Sequence, residues 1–312
     1  MRAAGGVRRW ATCPPPALEV RARRGGVRPS DAAEAQGAQP VGFGARHRRL
    51  LPVGQAVRYE ILGPLRVLDG DRQVRVSAPK LTVLLAVLLA RARQVVAADL
   101  LVAEIWPDDP PRRATAALHV YVSQLRKLLT CPRRPQCPII TRSPGYLLAV
   151  EPEAVDLHQF EQRVAAGRRH ARSGRHPQAI EQFTAALALW RSPALSDLRD
   201  GPIVDAFVTR LEEARLECLE MMMESGLSAG RHRELVGQLF ELTLEHPMRE
   251  AFYRQLMIAL YRSERQADAL RVYQRARGLL AEELGVEPGR PLREIQRAIL
   301  LDDDRFELPS TG

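Results

Sequence analysis

The sequence predicts a mainly α protein: an amino-terminal winged helix-turn-helix, with three helices, short β-strands and a wing, followed by an all-α tetratricopeptide-like helical domain. Three observations predict it. Short alternating apolar segments open residues 57–150, a long amphipathic segment there runs into a ribbon-like one, and from Asp156 to about Leu301 the pattern becomes purely helical. Flanking these parts, residues 1–56 and 302–312 carry almost no periodic apolar pattern.

Tyr59-Glu60-Ile61-Leu62, Leu65-Arg66-Val67-Leu68 and Val74-Arg75-Val76 read as short antiparallel strands, with a turn at Asp69-Gly70-Asp71. Pro79 suits the first turn of a helix, and the segment it opens is apolar enough to be the central buried one. Asp99 is the expected N-cap of LLVAEIW, which stops before Pro107. A third helix begins near Arg112, and a ribbon pairs Ile139–Arg142 with Tyr146–Ala149 across Ser143-Pro144-Gly145.

In the third helix, steps of about 100° per residue place Leu118, Val122, Leu125 and Leu129 in one apolar stripe. The other side carries Arg113, Ala116, Val120, Ser123, Gln124 and Lys127. Cations, an amide, a hydroxyl and small apolar groups are what a major groove meets when base edges are read. A solvated amphipathic helix has the same pattern taken alone; the adjoining ribbon and the local charge favour DNA.

Charge is divided unevenly along the chain, whose formal net charge is +9. Residues 1–56 hold 10 arginines against 3 acids, residues 57–150 hold 14 cations against 7 acids, and residues 151–312 hold 22 against 27. The basic excess therefore lies with the winged helix and the arm, away from the helical half. The arm is expected to be either a disordered basic extension or an over-extended start, because Val57 opens the first strand and a valine codon can begin a bacterial protein.

Arg231 and Arg265 open two similar helical phrases one tetratricopeptide length apart, and Arg175 and Ala179 repeat the start of the phrase. Stacked helix pairs of this kind bury a shared core and expose a surface suited to proteins. Trp106, Trp190 and the run Met221 to Met223 are expected mainly in the core.

Enzyme chemistry finds no support. The seven histidines, His119 among them, are scattered, with no H-E-x-x-H, no G-x-S-x-G and no G-x-x-x-x-G-K-[ST]. The four cysteines form no C-x-x-C pair, so neither metal nor cofactor is expected, and a reducing cytoplasm fits them. Leu81 to Ala90 is too short to span a bilayer, and no apolar stretch follows Arg8-Arg9 to make an export signal. Cys131 and Cys137 bracket a loop in which Arg133 and Arg134 are candidates for phosphate contact.

ILGPLRVLDGDRQVRVSAPK, the long segment ending VYVSQLRKLL, TRSPGYLL, VDLHQFE, ALALWRSPAL, EHPMREAFYRQLMIALYRSERQADALRVYQRAR and EELGVEPG together resemble the Streptomyces antibiotic regulatory protein family, from about Val57 to Leu301. That resemblance implies an OmpR-type winged helix joined to a bacterial transcriptional activation domain. It further implies a cytoplasmic activator of secondary-metabolite gene clusters that binds direct repeats in double-stranded promoter DNA, as head-to-tail copies, and recruits RNA polymerase holoenzyme. The family's recognition pattern lands on Arg113, Val120, Gln124, Arg126 and Lys127, with a wing arginine at Arg142.

Arg126 projects about 40° from Val122, so it is expected to reach phosphate rather than a base. Gln124 is expected on a base edge, Val120 on a thymine methyl, and Arg142 in a minor groove. The arm before Val57 and the Cys131 to Cys137 insertion depart from the family pattern, as does the lack of an ATPase or phosphopeptide-binding segment after the helical half. A tetratricopeptide-like scaffold with nonspecific nucleic-acid attachment, and a repressor using the same DNA-binding part, are the competing functions.

Overall fold

A computed structural model describes residues 57–130 and 136–301. The expectations for the basic arm, for Cys131, Arg133 and Arg134, and for the tail lie outside these residues. The described chain begins with an antiparallel sheet of β1 (Val57–Glu60), β2 (Arg66–Asp69) and β3 (Arg72–Val74), in that order. β1 ends two residues earlier than the alternation predicts, because the amides of Ile61 and Leu62 leave the sheet to donate to the carboxylate of Asp156.

Helix α1 (Pro79–Ala90) starts on its proline and buries Leu81 and the run Leu84 to Leu89. Strand β4 (Val96–Ala97) leads without a loop into α2 (Ala98–Ile105). The N-cap of α2 is Ala97, not Asp99, because pairing of β4 fixes the extended backbone there. Asp99 instead lies in the first turn, where its carboxylate accepts from the Leu100 amide at 3.0 Å and complements the helix dipole. Then come α3 (Ala114–Leu129), β5 (Ile139–Arg142) and β6 (Gly145–Leu148). Trp106 closes α2 and stacks on Tyr121 of α3, with ring centroids 5.7 Å apart.

The rest is helical: α4 (Asp156–Arg172), α5 (His176–Leu187), α6 (Pro202–Ser228), α7 (His232–Glu245), α8 (Glu250–Arg262), α9 (Gln266–Leu284) and α10 (Arg290–Leu301). Successive helices pack as antiparallel hairpins, with α10 laid over α8 and α9. Arg175, Arg231 and Arg265 are the N-caps of α5, α7 and α9. Each follows a residue in left-handed conformation, namely Gly174, Gly230 and Glu264. The recurring sequence phrase is thus one recurring joint. Met223 is buried, while Met221 and Met222 are half-buried against Arg168 and Thr184. No helix among the described residues is long and apolar enough to cross a membrane.

The expected boundary near residue 150 is a change of secondary structure, not a gap in the core. One apolar cluster runs from Val57 of β1 to Cys218 of α6; a second, centred on α8, spans Met223 to Ile299. Two carboxylates cross between the halves. Asp156 of α4 accepts from Ile61 and Leu62, and Glu104 of α2, 2% exposed, accepts from the Ile203 and Val204 amides at 2.9 and 2.8 Å. Glu104 therefore caps the first turn of α6 from another part of the fold. Arg191 adds an ion pair with Glu60 at 3.5 Å and a hydrogen bond to the Pro64 carbonyl at 3.1 Å.

Burial pushes the Asp156 carboxyl above its ordinary value of 3.8, outweighing the opposing effect of its amide donors and of Arg191. A carboxyl whose folded value is raised binds its proton more tightly in the folded chain, so it adds stability as pH falls from above that folded value to below 3.8. Relative to Asp156→Asn, the wild-type chain should accordingly gain stability across that window, measured as the urea midpoint against pH. Parallel profiles would show that the carboxyl does not titrate in step with folding.

Candidate nucleic-acid interface

Sixteen residues of α3 make a rod of about 24 Å, enough to lie along a major groove. Leu118, Val122, Leu125 and Leu129 are buried against α1 and α2. Arg113, Ala116, Val120, Ser123, Gln124 and Lys127 are all exposed. Val120 is 53% exposed, so this face offers solvent an apolar group among polar ones.

The wing is a second sheet of order β4-β6-β5, in which Arg142 pairs with Gly145 across a two-residue turn. Arg142 is exposed at this tip. β6 lies so close to β4 that a Cβ on Gly145 would stand 1.8 Å from the Val96 carbonyl oxygen, which explains why glycine follows Ser143-Pro144. β4 thereby ties the start of α2 to the wing.

Arg126 is placed differently from expectation. Its Nε donates to the Ile139 carbonyl at 3.2 Å and its Nη2 to Thr141 Oγ1 at 2.7 Å, while the guanidinium lies 5.9 Å from the Tyr146 ring centroid. The side chain is turned onto the wing rather than outward to a phosphate, because it projects from the flank of the buried stripe, where β5 and β6 pack. His119 is exposed and meets the same ring edge-on, with centroids 6.5 Å apart. Tyr146, 6% exposed, is therefore a second contact, beside the Arg126 hydrogen bonds, between the wing and α3, and sequence reasoning assigned it no role. Its signal was there in the spacing: His119 and Arg126, seven residues apart, share one flank of the helix.

Cys218 offers no reactive thiol, since burial pushes it up to about 12 and its Sγ faces the Phe183 carbonyl. Among the described residues no group of three or more histidine, cysteine, aspartate or glutamate side chains is placed to hold a metal ion.

A buried-stripe helix with an exposed polar face, a wing fastened beside it and a tetratricopeptide-like half behind define a winged-helix transcriptional regulator. Comparison with known proteins agrees. Residues 72–148 match the family model described as transcriptional regulatory protein, C terminal, and residues 155–300 match that of the bacterial transcriptional activator domain. The chain is 37% identical over 253 residues to the regulatory protein DnrI of Streptomyces peucetius, covering 79% of this chain and 93% of that one. It is 38% identical over 255 residues to the regulatory protein AfsR of Streptomyces griseus, covering 82% of this chain but only 26% of AfsR. A solved structure of Mycobacterium tuberculosis EmbR in complex with a low-affinity phosphopeptide aligns with a TM-score of 0.74 at 36% identity, covering 79% of this chain and 65% of that one. The chain belongs to the Streptomyces antibiotic regulatory protein family.

Proposed function

We propose that the protein is a cytoplasmic transcriptional activator that binds direct repeats in promoter DNA as head-to-tail copies and recruits RNA polymerase holoenzyme, controlling a secondary-metabolite gene cluster. The exposed face of α3 beside the wing carries the proposal. Gln124 and Ser123 read base edges, Val120 packs on a thymine methyl, Arg113 and Lys127 meet phosphates, and Ala116 lets the groove floor approach closely. Arg142 enters the neighbouring minor groove from the wing tip.

Selection from a random duplex library tests this. A single enriched site is expected, repeated in one orientation; an unselective pool would leave only a scaffold with general nucleic-acid affinity. Gln124→Ala should relax preference at one base position, losing about 1–3 kcal/mol of discrimination there, whereas Lys127→Ala should weaken all sequences alike and lower the salt slope. Equal effects of both changes on selected and random duplexes would defeat the assignment.

Polymerase contact is supported by the outer side of the helical half. Phe240 and Leu244 stand one turn apart on α7, 43% and 52% exposed, with Met248 just beyond at 42%. Apolar groups in such a row mark a protein-facing surface. Phe240→Glu with Leu244→Glu should leave duplex affinity unchanged and reduce reporter output at least tenfold; unchanged output would move the polymerase contact elsewhere, and increased output would favour a repressor.

A further inference from the structure

The helical half is acidic on balance, yet from Gln162 to Ile180 it holds five arginines and no acid. Arg168 is paired with Glu217 at 3.0 Å, but among the described residues no carboxylate lies within ion-pair distance of Arg163, Arg169 or Arg172. Two of these unpaired arginines line a recess of about 460 Å³ between α4 and α5, together with Gln162, Ala165 and Gln182. Along its own stem, the Nε of Arg163 is buried without a hydrogen-bond partner.

A buried guanidinium donor without an acceptor is costly, and most such groups in folded proteins have a partner. Planar guanidinium forks and carboxamides are the donors that suit oxyanions, and an open cleft with two such forks on one side suits a small charged group. We propose that this recess binds a small phosphate- or carboxylate-bearing molecule, whose oxyanion accepts from Arg163 and Arg169 while the Gln182 amide fixes its orientation. Gln162 is already engaged, with its Nε2 2.8 Å from the His158 ring, and forms the rim. The site lies on the helical half and does not depend on the DNA-binding proposal.

Calorimetric titration of the full chain with pyrophosphate, and separately with citrate, tests it and distinguishes the two ligand chemistries. Saturable one-to-one binding of at least one is expected, weakened at least tenfold by Arg163→Gln with Arg169→Gln. Arg271→Gln, in a side chain 79% exposed on α9, should leave it unchanged. Should the double variant not fold, phenylglyoxal labelling of the wild-type chain supplies the second readout: the bound anion should shield Arg169 and not Arg271. Absence of saturable heat, equal weakening by all variants, or loss of duplex affinity without any anion binding would overturn the proposal, the last marking the arginines as a further DNA contact.

Discussion

Replacing Glu104 with alanine is expected to lower the thermal midpoint by about 10 °C, through a loss of about 3–5 kcal/mol. Two charge-assisted hydrogen bonds disappear together, leaving the Ile203 and Val204 amides without acceptors inside the fold. The site has no slack to recover them: a Cβ on Gly201 would lie 2.3 Å from the Glu104 carboxyl carbon, so the carboxylate already fills the space under the helix start. Glu104→Gln keeps one acceptor oxygen and should lose roughly half as much. Calorimetric unfolding of the three chains checks the order. A shift below about 3 °C for the alanine variant would mean that the amides find other acceptors.

Arg126→Ala should reduce affinity for the selected duplex by about three- to tenfold while leaving the salt dependence intact. The two bonds it gives to the β5 backbone and Thr141 are of the kind worth about 1.5–3 kcal/mol when buried, and less at this half-exposed position. Without them the wing tip carrying Arg142 is no longer held at one angle to α3. A lost phosphate contact would behave differently, lowering the slope of log affinity against log salt by nearly one unit. Measuring affinity at several salt concentrations therefore separates wing positioning from direct contact, and a reduced slope would return Arg126 to the phosphates. Arg126→Lys should recover little, because a point charge cannot bridge two acceptors as a planar fork does.

What the sequence made legible was whatever obeyed a short period. The leucine stripe of α3, the proline start of α1 and the arginine joints of the helical half are local patterns, and each appears where the pattern places it. What stayed hidden depends on partners far along the chain. β4 is two residues long and exists only by pairing with Gly145 and Tyr146. Glu104 reads as an ordinary helix acid until α6, about 100 residues later, brings two amides to it. The setting of Arg126 stayed hidden for the same reason, since a helical wheel gives its angle but not the ribbon that occupies the space on that side. Among the candidate DNA contacts, exposure was readable from periodicity, whereas the neighbour of each flank was not.

Crossed carboxylates have a consequence for promoter architecture. With α6 capped from α2 and β1 held from α4, the α7 surface cannot swivel freely once the recognition helix is seated. Its compass bearing around the duplex is then dictated by where the operator falls. Inserting about 5 base pairs between operator and core promoter turns that bearing to the far side of the DNA, and about 10 restores it. Transcription should rise and fall with that rotational phase rather than decline smoothly with distance.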